Sequence, residues 1–137
     1  GQTFNLLLID LDHFKKINDN YGHASGDEAL RYASQCVRDA VRDYDIFGRV
    51  GGEEFALVLS GIDQAQALQV CNRLRETMAA GTISHNKHHF GLTMSGGLAT
   101  ARAGDTVTSL LSDADAALYR AKKAGRNRIE LAEEKAG

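Results

Sequence analysis

An α+β fold with a ferredoxin-like βαββαβ core is what this sequence predicts, on three observations. Short apolar runs of strand type alternate with longer segments whose apolar residues recur at spacings of three and four. Two of the short runs flank Gly51-Gly52, a hairpin signal. The order reads β-α-α-β-β-α-β-α-β and reduces to βαββαβ when the extra elements are set aside, which gives a central, antiparallel-containing sheet flanked by helices, the core helices on one face.

Each element has a local reason. Phe4 to Ile9 is a buried-type apolar strand that ends in Asp10-Leu11-Asp12. Phe14 to Asn20 reads as a short helix closed by Tyr21-Gly22-His23, and Ser25 to Arg42 as a longer one with Leu30, Ala33, Val37 and Ala40/Val41 facing inward. Ile46 to Val50 and Phe55 to Leu59 form the hairpin strands. Asp63 caps a helix reaching about Met78, with Ala67, Val70/Cys71, Leu74 and Met78 inward. His89 to Ala99 alternates with period two, placing Phe90, Leu92, Met94, Gly96 and Leu98 on one face. Thr108 to Lys123 is the last long helix, with Leu111, Ala114, Leu118 and Ala121 inward and Gly125 just past its end. Arg128 to Leu131 is a final strand, and a polar tail, Ala132 to Gly137, is expected to fray.

The 137 residues suit one domain, 1–137, without proline, repeats or a linker. A chain of this length buries roughly two thirds of its unfolded surface and needs no covalent staples. A net charge of −2 argues against an extended nucleic acid as partner but leaves room for a nucleotide, which needs only a few local cations. No apolar run approaches the ~20 residues of a membrane span, so no membrane contact is expected of this domain. The chain opens at Gly1 rather than Met, which suggests a piece of a longer protein whose remainder is free to be membrane-anchored. Cys36 and Cys71 lie on helical apolar stripes and read as buried residues of a reducing, cytoplasmic compartment.

The chemistry concentrates at the hairpin. Glu53 and Glu54 put two like charges side by side at its tip, a poor choice for a turn alone and a sound one beside a metal ion or a metal–polyphosphate complex. If the hairpin strands flank the first strand, Asp10 converges with them. Three hard oxygens plus a backbone carbonyl, that of Leu11, suit Mg²⁺ or Mn²⁺; two such ions ~4 Å apart could activate a hydroxyl and neutralise a leaving pyrophosphate. Locally, Asp10-x-Asp12 also reads as a strand-end turn with Asp12 capping the helix at Phe14. An EF-hand does not fit, because Lys15 stands where its glycine is required. His85, His88 and His89 read as solvated residues of a loop or strand entrance.

Four motifs then fall in one order. Gly51-Gly52-Glu53-Glu54-Phe55 is a variant of GGDEF. Asp10-Leu11-Asp12-His13-Phe14-Lys15-Lys16-Ile17-Asn18-Asp19 is similar to DxDxFKxxND, and Tyr21-Gly22-His23-Ala24-Ser25-Gly26-Asp27-Glu28-Ala29-Leu30 to FGHxxGDxxL. The segment from Ala114 to Asn127 resembles ADxALYxAKxxGRN. From Phe4 to about Asn127 the chain resembles the GGDEF domains, the diguanylate cyclases.

The resemblance implies condensation of two GTP molecules into cyclic di-GMP and two pyrophosphates, by a homodimer whose antiparallel subunits each hold one GTP. It implies Asp10 and Glu53 as metal ligands with Glu54 beside them, two Mg²⁺ or Mn²⁺ ions per half-site, and Glu53 as a candidate to assist deprotonation of the 3′-hydroxyl. Asn18 and Asp27 match guanine-reading positions; a carboxylate accepts from both N1–H and N2–H₂, which adenine lacks. Lys122 and Arg126, with Lys15 in support, match triphosphate-holding positions, although cations in a last helical turn are also favoured by the dipole alone. Arg42-Asp43-Tyr44-Asp45 has the RxxD pattern of the family's product-inhibition site, Arg42 gripping and Asp45 accepting from guanine, with Arg73 as a second half. The family's DxLTxLxNR segment is not in this sequence, so weak activity or none is expected of the chain alone. A non-catalytic GTP or cyclic di-GMP binding module is the alternative, and the retained carboxylates weigh against it.

Overall fold

The computed structural model describes residues 3–133. Its elements run β1 (Phe4–Leu11), α1 (Phe14–Tyr21), α2 (His23–Ala40), β2 (Ile46–Gly51), β3 (Glu54–Ser60), α3 (Gln64–Ala80), β4 (Ile83–His85), β5 (His88–Phe90), β6 (Met94–Thr100), α4 (Val107–Lys123) and β7 (Arg128–Leu131). The main sheet has the order β2-β3-β1-β6-β7; its first four strands pair antiparallel, and β7 joins β6 in parallel. This is the βαββαβ core with one strand added, and β1, the most apolar strand, sits at its centre.

Alternation on the strands sorts the two faces. Leu7, Ile9 and Leu11 join Phe55, Leu57, Leu59, Met94 and Leu98 in one buried cluster with Ala29, Ala33 and Val37 of α2 and Ala67, Cys71, Leu74 and Met78 of α3. Leu6 and Ala99 face the other way, against Ala114 of α4, with Leu8, Ala56 and Val58 beside them. The core helices thus share one face and α4 covers part of the other. That contact is close: a Cβ on Gly97 would stand 2.0 Å from the Ala114 carbonyl oxygen and 2.4 Å from the Leu118 nitrogen, both backbone. Next to it, the space a side chain on Gly96 would fill is taken by Leu7 and Ile129.

The ends of the helices are locally coded. Asp63 and Gln66 form a full capping box on α3, as do Thr106 and Ser109 on α4. α4 closes through Gly125, at φ +120, with Gly125 N–H donating to Lys122 and Arg126 N–H to Ala121, the paired bonds of a Schellman end.

Four expectations are corrected. The alternating stretch from His89 to Ala99 is two strands: β5 turns back on β4 through Asn86 and Lys87, both at positive φ. Phe90, Leu92, Met94 and Leu98 nonetheless all reach the core on one side, because the period survives the break. His88 and His89 are exposed on strand β5, as expected of solvated residues, with His88 against Tyr21 and His89 Nδ1 meeting Ser84 Oγ at 2.8 Å; only His85 departs, its Nε2 being buried. Leu111 is 38% exposed rather than inward, and it lines a cleft with Leu8, Val50 and Glu54 instead of packing into the core. The hairpin turn is Gly52-Glu53, Gly51 pairing with Glu54, with a bulge between Arg49 and Gly51. Gly52, at φ +52, supplies the positive φ needed at the first turn position. The expected fraying concerns a tail of which residues 134–137 lie outside those described.

Candidate active site

The pairing of β1 with β3 fixes the acidic cluster. Asp10, next to last on β1, lies directly across from Glu54 on β3 and from Ser95 on β6. Glu53 occupies the turn, its carbonyl accepting from Leu11 N–H at 3.2 Å. The three carboxylates are thereby gathered at the ends of adjacent strands, with the Leu11 backbone between them. Among the described residues they do not form a ready group of three or more metal-holding side chains. Asp10, 7% exposed, is instead paired with the ammonium of Lys122.

Lys122 reaches Asp10 from α4, whose backbone is drawn against the sheet at Gly97. Asp115 stands seven residues earlier, two turns back on the same helical face. It lines a cleft of about 300 Å³ with Glu54, Val50 and Leu111. The Glu54 carboxyl is held above the ordinary carboxylate range: burial is the main cause, the Asp10 charge adds to it, Lys122 opposes, and Asp115 and Glu53 add further. Negative charge here exceeds what the neighbouring cation neutralises. Hard oxygen donors with surplus negative charge fit a divalent cation. Asp115 was not singled out from sequence, although its helical register with Lys122 was a usable signal.

Asp12 behaves differently from its neighbour. It does not cap α1. Its oxygens accept from Thr93 Oγ1 at 2.7 Å, Ser95 Oγ at 2.6 Å and Asn127 N–H at 2.9 Å, with Arg126 at 3.8 Å. It ties the end of β1 to β6 and to the turn after α4. The residue at the N-cap is His13, at φ +56, with no side-chain cap. The first N–H groups of α1 therefore lack a side-chain acceptor and form a backbone site suited to an anion. Lys15 is exposed in this first turn.

Asn18 and Asp27 are brought together through Gly26, where a Cβ would stand 1.8 Å from Asn18 Oδ1. Only glycine lets the α1 amide lie against α2 there, one residue from Asp27. Asp27, Leu30, Arg31, Ser34, Arg49 and Phe55 line a cleft of about 280 Å³ between α2 and the hairpin. Arg49 was also missed; it points to the Phe55 side of the hairpin by its register.

The Arg42–Asp45 turn lies at the far end of β2. Arg42 donates to Asp45 through its backbone N–H at 2.9 Å, Nε at 3.0 Å and Nη2 at 2.7 Å, and Nη2 also donates to the Ser60 carbonyl at 3.0 Å. Its guanidinium stacks on Tyr44 at 4.4 Å. Burial pushes the Asp45 carboxyl up, but the Arg42 bonds outweigh it and hold Asp45 below its usual range. Asp45 is thus committed to Arg42 and is not presented as an acceptor for a base. Arg73 is exposed on α3, with no described contact to Arg42. Of the two cysteines, Cys71 is buried and its thiol is pushed up to about 12 by that burial, which leaves it inert; Cys36 is half-buried, and both are free thiols.

Comparison with known proteins shows which family the chain resembles over its length. The family model "Diguanylate cyclase, GGDEF domain" matches residues 1–128. The response regulator PleD of Caulobacter vibrioides is 41% identical over 132 residues, covering 94% of this chain and 29% of PleD. The diguanylate cyclase DosC of Escherichia coli K12 is 39% identical, covering 96% of this chain and 29% of DosC. The chain thus spans about three tenths of the length of these curated relatives. A crystal structure of the GGDEF domain of DgcB from Caulobacter crescentus in complex with c-di-GMP superposes with a TM-score of 0.94 at 31% identity, covering 98% of this chain and 80% of that one. The active GGEEF domain of a diguanylate cyclase from Vibrio cholerae gives 0.89 at 30% identity, covering 97% and 85%.

Proposed function

The chain belongs to the GGDEF domain family of diguanylate cyclases, and on that premise we propose that it binds one GTP with Mg²⁺ or Mn²⁺ and, facing a second copy antiparallel, condenses two GTP into cyclic di-GMP with release of two pyrophosphates. The observation that carries this reading is the pairing of Asp10 with Glu54 across adjacent strands, with Glu53 at the turn and more negative charge than Lys122 neutralises.

Asp10, Glu53, Glu54 and the Leu11 carbonyl would hold the divalent cation. Such an ion supplies charge neutralisation on the phosphates and acidifies the attacking 3′-hydroxyl. The chain's own groups do the rest. The uncapped start of α1 offers backbone N–H groups to the triphosphate, and Lys15 lies in the same turn. Lys122, at the edge of the carboxylate cluster beside Asp10, would supply a cation to the phosphate oxygens, and Arg126 would add a second from the turn after α4. Asn18 and Asp27 hold the base. Each attack forms a bond from the 3′-oxygen of one GTP to the α-phosphorus of the other and breaks that phosphorus–pyrophosphate bond. Positioning and charge stabilisation supply most of the rate. The two half-sites must meet, so the reaction depends on how strongly copies associate.

We read product inhibition into the Arg42 turn in an altered form. Asp45 orients the guanidinium, and the Nη1 edge, which makes none of the bonds above, grips cyclic di-GMP, with Arg73 in support. Isothermal titration with cyclic di-GMP checks this: Arg42→Ala should abolish binding, and unchanged binding would remove the site.

The activity itself is tested by incubating the concentrated or artificially dimerised chain with GTP and Mg²⁺ and separating the products by chromatography. Cyclic di-GMP is expected from the parent, and at least about 100-fold less from Glu53→Gln. GTP bound without product by an enforced dimer would point to a receptor module instead.

A further inference from the structure

The cleft between α2 and the hairpin holds more than the carboxylate that the sequence motif supplies. Asp27 stands on one side; Arg49 of β2 stands on the other; Leu30 and Phe55 give the space between them an apolar wall. The volume, about 280 Å³, has room for one planar base. The two charged groups are not paired with each other. The nearby Arg31 is already bonded to Glu28 Oε1 at 2.5 Å. Arg49 has no carboxylate partner among the described residues; its Nε donates to the Gly52 carbonyl at 2.8 Å. That bond fixes the guanidinium at the base of the hairpin turn and leaves both Nη groups as donors.

Guanine has two adjacent polar edges of opposite character. N1–H and N2–H₂ donate, and O6 with N7 accept. A carboxylate suits the first edge and an arginine fork the second. We propose that Arg49 is a specificity-determining residue that reads the O6/N7 edge of the guanine whose donor edge Asp27 holds. The proposal rests on the GTP-binding reading above and names a further polar contact for its base, beyond Asn18 and Asp27. Adenine fails at both groups: it offers Asp27 no donor pair, and its N6–H₂ faces the donors of Arg49. A single carboxylate leaves discrimination to one edge, whereas the clamp applies it at two. Anchoring Nε on Gly52 also makes the base site sensitive to the conformation of the turn that carries Glu53, so base recognition and the metal-side carboxylates share one hairpin.

The test is calorimetric titration of the chain with 3′-deoxy-GTP, which lacks the attacking hydroxyl and cannot be turned over, and with its 7-deaza counterpart, which lacks N7, both with Mg²⁺. The parent should bind the 7-deaza analogue about 10-fold more weakly, in the range a bidentate arginine–guanine contact supplies. Arg49→Ala should weaken 3′-deoxy-GTP by a similar factor and abolish the difference between the two analogues. Arg49→Lys keeps a cation without the fork, and should recover part of the affinity but not the discrimination. If the parent distinguishes the analogues and both variants still do so, Arg49 does not read this edge and the proposal falls while the GTP reading stands. If Arg49→Ala weakens both analogues equally, the residue acts on the phosphates or the hairpin fold. If the parent binds neither analogue, the nucleotide reading itself fails and this inference goes with it.

Discussion

The hairpin tip and the turn that leads into its first strand both set a cation against an aspartate, and they do so to opposite ends. At the turn, Asp45 has a side chain only 1% exposed and takes three bonds from Arg42, which also reaches the Ser60 carbonyl. Charge is balanced locally, and the pair ties β2 to the end of β3. At the tip, Asp10, Glu53, Glu54 and Asp115 face one ammonium, Lys122, and Glu54 is pushed above its usual range by burial and by its neighbours. A closed pair of this kind stabilises the chain, while an open cluster gives up some stability and, on the function proposed above, would keep a place for a cation. The same residue chemistry therefore gives a matched aspartate that only orients its arginine in one place and an unmatched carboxylate cluster in the other.

Two substitutions should break that comparison or sharpen it. Lys122→Met removes the cation that, among the described residues, is paired with buried Asp10. Cyclisation should fall by about 10- to 100-fold. The metal-free chain should lose about 1–3 kcal/mol, the cost of leaving a buried acceptor unmatched, and millimolar Mg²⁺ should restore part of it by binding the folded state alone. Asp45→Ala should cost about 2 kcal/mol, read as a fall in Tm, and Mg²⁺ should restore none of it. Thermal unfolding of both variants with and without Mg²⁺ is the measurement. Rescue of both, or of neither, would show that the two regions do not differ in the way their charges suggest.

What the sequence could and could not reveal follows the same division. Strand periods and caps are local, so β1, β3, α3 and β7 are legible from residues such as Asp63 and from the run Phe4 to Ile9. The carboxylates of the tip were also legible, because adjacent glutamates in a turn are locally unfavourable and ask for a reason. Asp12 was not: its partners Thr93, Ser95 and Asn127 lie 81 to 115 residues away, and a capping role was the best local guess. The hairpin of β4 and β5 was hidden because its turn is Asn86-Lys87, with lysine where glycine is the usual signal. Arg49 was hidden because nothing in a single strand marks which face will meet a cleft, whereas Asp115 was within reach through its seven-residue spacing from Lys122 on one helical face.

The smallest effect, and the finest test of the comparison, is in pH. Glu54 has its folded pKa raised, so the fold favours its protonated form. In the metal-free chain its contribution to stability should fall as pH rises from the ordinary glutamate value through the raised one, because above that window a carboxylate must ionise beside Asp10 and Asp115. Asp45 has its folded pKa lowered, so its contribution is fully present above the ordinary aspartate value and is lost as pH falls through the depressed one. Thermal unfolding across mildly to strongly acidic pH should therefore show Glu54→Gln removing a decline on the upper side, and Asp45→Asn removing a rise on the lower side. Mg²⁺ should act on the first alone. A bound cation requires ionised Glu54, so its affinity should strengthen as pH rises through that same window and its binding should release protons. If Mg²⁺ left the Glu54 window unchanged, the surplus charge at the tip would have to be explained without a cation.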